Sequence, residues 1–441
     1  MNQDYTDIIQ HLSQLLSSAI QEREIDLSDS VSQLDGEVGE LLRLMGLKVM
    51  SILLNAEAEQ ATEEGKKTGS VIHRRLKAKY SVIFGVVEVD SPYLWNKQEH
   101  QGSRPVQEKL GIKHRGFSKS LTRALTDFGA EESFGQAAKR FEEHYGWQVQ
   151  RSKIRREVEH IGEQALTYVE RRLEMLSKTF ENLTPPKKRT GWNRILVELD
   201  GCHVPTGISI TKKTEELTPI RRIKKHQRPR DWREVRVGFA RPVESKKQRT
   251  FIALMGQYPE VVEQLHSAAV DRGLSTYTLV YGVADGGKGL KEALEVKFDH
   301  FQFILDQPHL KHHLHDTADA LELKGKERSI WLDCILSLIN HGRVKKVLSH
   351  LKKWSGKEQN TVVNLSKYLE RFRNSIHYDK YHSLGLPIGS GEIESAHRYI
   401  PQKRLKIPGA TWHPDNVNPM LALRIIRANN WWHDFWMAIA F

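Results

Sequence analysis

The chain has 441 residues, 39% of them hydrophobic, which allows two or three domains with cores of their own and excludes a disordered chain. Its 67 Lys and Arg outnumber 55 Asp and Glu for a formal charge of +12, a balance that favours a polyanionic partner, nucleic acid first. The two cysteines, Cys202 and Cys334, exclude a disulfide framework or zinc finger; the most apolar stretches, Leu41 to Leu54 and Trp431 to Phe441, are interrupted by Arg43 and Lys48 and by His433 and Asp434, so no membrane span is expected, and the chain reads as cytoplasmic and nucleoid-associated.

Residues 1–79 read as a helical region. Ile8, Ile9, Leu12, Leu15, Leu16 and Ile20 recur at helical spacing, and a second helix is expected from about Gly36 to Glu64. Residues 80–182 begin with a β-hairpin over Tyr80 to Trp95, rich in β-branched residues, with Gly85 at a bend. Ser118 can cap a helix through Phe128, and Ser133 one through His144 that Gly146 ends. Ser152 is expected to cap a longer basic helix. Helix, glycine-containing turn and basic helix have the shape of a helix-turn-helix, with Lys153, Arg155 and Arg156 facing DNA. A plain helical hairpin gives the same pattern.

Leu183 to Arg189, two prolines followed by three basic residues, marks a domain boundary. In residues 190–309 strands are expected at Ile195–Asp200, Glu234–Val243, Arg249–Met255, Thr276–Ala284 and Phe301–Leu305. Helices fall at Pro259–Arg272 and Gly286–Lys297. The order β-β-β-α-β-α-β fits a mixed sheet flanked by helices, an α/β architecture that matches the RNase H-like fold. Residues 310–385 are helical, and residues 386–441 return to the core with an acidic helix and a C-terminal helix. Trp431, Trp432, Phe435 and Trp436 there are spaced to pack one face.

Asp200 and Asp285 close predicted strands, where sites in open α/β sheets gather. Each is also followed by glycine, as in an ordinary turn, so the reading depends on the set. Two carboxylates at adjacent strand ends and a third on a helix can hold two divalent cations roughly 3.5–4 Å apart, the arrangement that phosphodiester displacement needs. Gly389-Ser390-Gly391-Glu392-Ile393-Glu394 offers two candidates for the third acid. They are two residues apart and face different sides of a helix. Glu392 can complement the helix dipole, which leaves Glu394 as the better ligand.

Val197-Glu198-Leu199-Asp200-Gly201, Val283-Ala284-Asp285-Gly286-Gly287, Asp306-Gln307-Pro308-His309 and the Glu392–Glu394 segment occur in this order. Together they resemble the DDE transposases of bacterial insertion sequences, in the mutator-like superfamily and most nearly the ISKra group. The resemblance covers roughly Tyr80 to the C-terminus. It implies an RNase H-like core with a helical insertion at about Leu310 to Tyr378, preceded by a mostly helical DNA-binding region. It implies Asp200, Asp285 and Glu394 as ligands of two Mg²⁺ or Mn²⁺ ions, with Asp306 and His309 beside the site. Arg398, Lys403, Arg404 and Lys406 match the basic residues that follow the acidic helix, and Trp412 matches a Gly-x-x-Trp element. Between Tyr93 and Pro105 there is no cysteine, where many members carry them.

A basic run, with Arg221, Arg222, Lys224, Lys225, Arg228 and Arg230, falls between the first two strands of the catalytic region and is expected to hold DNA by phosphate contacts. His309 and His313 have zinc-site spacing but lack the zincin glutamate, which argues against a zinc hydrolase. The expected partners are double-stranded DNA, as terminal inverted repeats and target, and further copies of the chain. A transposase-derived protein that binds DNA without cutting it, and another RNase H-like nuclease, are the alternatives.

Overall fold

The computed structural model describes residues 6–21, 31–67, 69–181, 191–207, 231–354 and 359–439. The expected boundary at Leu183 to Arg189 and the basic run with Arg221, Arg222, Lys224, Lys225, Arg228 and Arg230 lie outside the described residues. The chain divides into two compact units, one from residues 1–125 and 138–150, the other from residues 126–137 and 151–440.

In the first unit the two expected helices span Thr6–Gln21 and Val31–Lys66. Five short strands follow: β1 Ser70–Arg74, β2 Lys77–Val82, β3 Gly85–Asp90, β4 Tyr93–Asn96 and β5 Gln101–Ser103. β2 and β3 form a hairpin over Lys77–Asp90, earlier than the expected Tyr80 to Trp95, because Tyr93 to Trp95 belong to β4 and pair with β1 and β5. On β3, Val87 and Val89 point inward while Val86, Glu88 and Asp90 face out, the alternation of a half-buried strand. Val87 and Val89 join Ala78 and Val82 against Ala58 and Ala61 of the long helix. Asn55 fixes the hairpin to that helix, donating to the Glu88 carbonyl at 3.0 Å and accepting from the Asp90 N–H at 3.0 Å. The sheet β1-β4-β5 adds a layer that the residue pattern alone did not indicate.

Helices Lys119–Glu131, Phe134–Tyr145 and Arg151–Glu181 come next. Ser118 and Ser133 cap the first two as expected, accepting from Leu121 N–H at 3.3 Å and Gln136 N–H at 3.1 Å. Gly146 closes the second at φ +71°, a conformation costly for other residues. The third helix starts at Arg151, so Ser152 lies in its first turn and does not cap it.

The second unit is mixed α/β. Its five-stranded sheet has the order β10-β9-β6-β7-β8, with β6 Arg194–Thr206, β7 Asp231–Pro242, β8 Thr250–Leu254, β9 Leu279–Ala284 and β10 Phe301–Leu305. β6, β9 and β10 run parallel; β7 and β8 are antiparallel to their neighbours. β6 does not end at Asp200. β7 pairs with it from Ile195↔Pro242 to Thr206↔Asp231, so Asp200-Gly201 is strand and not turn. Helices Tyr258–Asp271 and Leu290–Lys297 make the crossovers.

The region after β10 holds helices Gln307–Ala320, Gly325–Asn340, Val344–Lys352, Gln359–Arg371 and Tyr378–Ser383. The acidic helix Gly391–His397 runs into a wider π-turn, Arg398–Gln402, at Pro401, a residue with no N–H to keep the regular ladder. Helices Val417–Ala428 and Trp432–Ala438 complete the unit. Trp431, Trp432, Phe435 and Trp436 are buried, as their spacing implied. Among the described residues no helix is long and apolar enough to cross a membrane.

Candidate active site

The parallel strands β6, β9 and β10 share one register, with Glu198 beside Val283 and Val283 beside Ile304. Two residues further along the chain from each stand Asp200, still within β6, and Asp285 and Asp306, each just past the end of its strand. The ladder of β9 stops at Ala284, so Asp200 is inside its own strand yet at the edge of the parallel part of the sheet. The sheet therefore delivers three aspartates to one row.

They have different tasks. Asp306 is buried and engaged. Its Oδ2 accepts from His309 N–H at 2.8 Å, capping helix Gln307–Ala320, and its Oδ1 accepts from Ser390 N–H at 2.7 Å. Beside it, Gln307 N–H donates to the Ile388 carbonyl at 2.9 Å. Asp306 thus ties the start of the acidic segment to the end of β10. Asp285 keeps one oxygen available: Oδ1 accepts from Gly287 N–H at 2.9 Å, and its backbone carbonyl accepts from the Tyr368 hydroxyl at 3.0 Å. Gly286 between them has φ +81°, and an added Cβ would stand 2.8 Å from the Phe372 ring, so only glycine suits this turn.

Two further contacts fix the acidic helix. Glu198, fully buried on β6, accepts from Ile393 N–H at 2.9 Å through Oε2. Its Oε1 has no hydrogen-bond partner. Burial, opposed by the Ile393 N–H and aided by the charge of Glu392, pushes its pKa to about 8, so at neutral pH it is largely the neutral acid. Glu392 accepts from Arg241 at 2.7 and 3.1 Å and from Arg249 at 2.6 Å. Arg241 is only 2% exposed. Burial raises the Glu392 pKa, but these two guanidiniums outweigh it and hold the carboxyl below its usual range.

Glu394, on the other side of the same turn, is exposed. Its charge is felt at Asp200, whose pKa rises to about 6, first through burial and then through the charges of Asp285 and Glu394; the Gly201 N–H and His309 oppose the shift. Asp200 Oδ1 accepts from Gly201 N–H at 2.7 Å. Oδ2 lies 3.5 Å from Nε2 of His397. Burial, opposed by a hydrogen bond to the Asp200 backbone and aided by the charge of Lys406, lowers the His397 pKa to about 4, so at neutral pH this contact is a neutral imidazole against a carboxylate and not an ion pair. His309 and His313 meet edge to face at 4.9 Å, and His313 packs on Tyr368 at 4.7 Å.

Asp200, Asp285 and Glu394 offer hard oxygen donors, which suit Mg²⁺ or Mn²⁺ by chemistry. The negative field at Asp200 is what a divalent ion would relieve. Among the described residues no three His, Cys, Asp or Glu side chains are drawn into a closed ligand group. The fit is therefore one of donor type and mutual charge.

The basic residues expected to meet DNA separate into two groups. Lys153 is partly exposed, Arg156 is exposed, and Arg155 pairs with Glu159 at 2.8 Å. Arg398 and Lys406 are exposed, and the charge of Lys406 reaches Cys202 and His397. Lys403 is exposed but paired with Glu131. Arg404 and Trp412 correct the sequence reading, because both are buried. The Arg404 guanidinium lies between the Phe134 and Trp412 rings, 4.5 and 4.6 Å from their centroids, and donates to the Gly129 carbonyl at 2.8 Å. Trp412 is fastened to the end of β6 by hydrogen bonds with Pro205 and Gly207. These two residues hold the loop after the acidic helix rather than presenting themselves to a phosphate.

Glu198, Arg241, Arg249 and His397 were not singled out in the sequence. A signal existed for two of them. Glu198 interrupts the apolar run Ile195 to Leu199, and Arg241 ends the run Val237 to Ala240; a charge in a buried strand requires a partner. No protein-family model matches this chain, and no curated protein matches its sequence.

Arg241→Ala should lower stability by about 3 kcal/mol in chemical denaturation, the low end for breaking a buried pair because Arg249 remains on Glu392. A loss under about 0.5 kcal/mol, the range of ordinary surface changes, would show that the pair does not anchor the helix. A pH effect follows from Glu198 and Asp200. Both have folded pKa values above their unfolded ones, so the folded state binds more protons and loses stability as pH rises. His397 and His266, whose folded pKa values lie near 4, gain stability as pH rises to about 6.5 and offset the two acids there, so in chelator the melting temperature should fall between about pH 6.5 and about pH 8. Glu198→Gln should flatten that fall; an unchanged profile would remove Glu198 as its source.

Proposed function

We propose that this chain is a DNA transposase of the DDE type with an RNase H-like catalytic core, which cleaves DNA at the ends of an insertion sequence and joins them to a target. The observation that carries the reading is Asp200 under the joint charge of Asp285 and Glu394 at the edge of the parallel strands. The sheet supports the fold assignment: numbered within the unit, its strand order is 3-2-1-4-5 with the second strand antiparallel. The motif order Asp200, Asp285, Asp306-x-x-His309, Glu394 supports the likeness to mutator-like transposases.

Asp200, Asp285 and Glu394 would hold the two ions, and Glu392 would not, because Arg241 and Arg249 occupy it. When bound, the ions supply charge that activates the attacking oxygen and neutralises the leaving one. The protein's own work is positioning. Asp306, Glu198 and Glu392 keep the acidic helix in place, and Gly286 shapes the turn that presents Asp285. Exposed Arg398 and Lys406 lie next to the acids in sequence or in charge and would hold phosphates there. Water first breaks a phosphodiester and leaves a 3′-hydroxyl; that hydroxyl then attacks a target phosphodiester and displaces its 3′-oxygen. No protein nucleophile is consumed. The three helices between Lys119 and Glu181 would recognise the element ends in the manner of a helix-turn-helix, with Lys153 and Arg156 on DNA. Joining two ends in one event calls for an oligomer.

The test is cleavage and strand transfer on DNA carrying the element's ends in Mg²⁺. Asp200→Ala, Asp285→Ala and Glu394→Ala should each lose both products by about 10³-fold, equivalent to about 4 kcal/mol of transition-state stabilisation, while still binding DNA. Glu392→Gln should keep both products. Binding without cleavage in the wild type would favour a transposase-derived DNA-binding protein. Cleavage without joining would favour another RNase H-like nuclease.

A further inference from the structure

Helix Val344–Lys352 is remote in role from the acids and was not marked by any motif. One face is apolar and buried: Val344, Val347 and Leu351 pack on helices Gly325–Asn340 and Gln359–Arg371. The opposite face, with its flanks, carries exposed Arg343, Lys345, Lys346 and Lys353. From His341 to Trp354 there is no Asp or Glu.

Arginines nearby have carboxylate partners: half-buried Arg328 with Asp319 at 2.9 Å, and exposed Arg371 with Glu292 at 2.9 Å and Arg373 with Glu370 at 3.1 Å. Among the described residues Arg343, Lys345, Lys346 and Lys353 have none. Exposed Lys324, Lys326, Lys367 and Lys380 lack such partners too, but as scattered charges, whereas here the cations are gathered on one short helix without an acid. The arrangement does not serve the helix either. Lys345 and Lys346 fall in its first turn, where the dipole favours anions, and that turn holds no acid. Like charges close together on a short helix cost a few tenths of a kcal/mol per pair. Lys353, at the C-cap, sits where the dipole favours a cation, but the unpaired charges of Arg343, Lys345 and Lys346 at the other end oppose it, and a polyanion covering them would relieve that cost.

We infer that the exposed face of helix Val344–Lys352, with Arg343 and Lys353, is a second DNA-contacting surface that holds the phosphate backbone of a duplex without reading its sequence. Several cations on one helix with no acid among them suit the phosphates of a duplex backbone; from Arg343 to Lys353 there is no Phe, Tyr or Trp to serve as the stacking platform that single strands use. The inference rests on the DNA-processing reading above and extends it to the helical insertion, which would steady flanking or target DNA while the acids act on one bond.

The experiment measures binding of full-length protein to a duplex of arbitrary sequence in chelator, across a salt series, so that no catalysis is involved. Lys345→Ala with Lys346→Ala should make the slope of log affinity against log salt shallower by about 1.8, since each phosphate contact contributes about 0.9. Affinity should fall about tenfold at moderate salt, and the melting temperature should not drop. A control pair, Lys324→Ala with Lys326→Ala, removes the same charge from another exposed place and should change the slope by less than about 0.5. An unchanged slope in the Lys345/Lys346 variant, or equal changes in both pairs, would overturn the inference. Should wild-type protein fail to cut while this slope difference persists, the catalytic reading falls and the surface stands.

Discussion

The site depends on how a seven-residue helix is held. Gly391–His397 is too short to keep its shape by its own hydrogen bonds, yet it carries Glu394, the acid proposed to act with two aspartates more than a hundred residues earlier in the chain. Three buried polar contacts fix it. Asp306 takes the Ser390 N–H, Glu198 takes the Ile393 N–H, and Arg241 with Arg249 grip Glu392. Each anchor satisfies a helix-start donor or a charge that would otherwise be buried without a partner. Each also comes from the sheet side: β6, the end of β10, the end of β7, and the start of β8. The helix is therefore registered against the same strands that present Asp200 and Asp285.

This arrangement separates two acids that look alike in the sequence. Glu392 and Glu394 differ by two positions, and helical geometry alone leaves their roles open. The choice is made by Arg241 and Arg249, which lie more than 140 residues away and become visible only when β7 and β8 pair. Neutralising Glu392 leaves Glu394 as the free carboxylate. Burial first, and then the fields of Asp285 and Glu394, raise the cost of ionising Asp200, and a divalent cation is a natural counter-charge.

Much of the second unit could be read from the chain. Apolar runs at Ile195, Thr276 and Phe301, separated by helical patterns, announced the strands and crossovers, and the aspartates at their ends announced a row of acids. The misreadings have a common physical origin in partners distant in sequence. Asp200-Gly201 carries a turn signature, but a long antiparallel partner keeps β6 extended through it. Arg404 follows the acidic helix like a phosphate ligand, but the Phe134 and Trp412 rings enclose it. Trp412 sits in a loop-like segment, but a bridge to the end of β6 draws it inside. In the first unit, β1 and β5 are short and weakly patterned, so their pairing with β4 left no periodic trace.

The most direct measurement is to load the protein with Fe²⁺ in place of Mg²⁺ and map where hydroxyl radicals generated at the ion cut the polypeptide. Cuts should cluster in three stretches, around Asp200, Asp285 and Glu394, and disappear together in Glu394→Ala while persisting in Glu392→Gln. Cuts confined to the His309–His315 segment, or cuts that survive Glu394→Ala unchanged, would contradict the assignment of the three carboxylates as one ion-binding site.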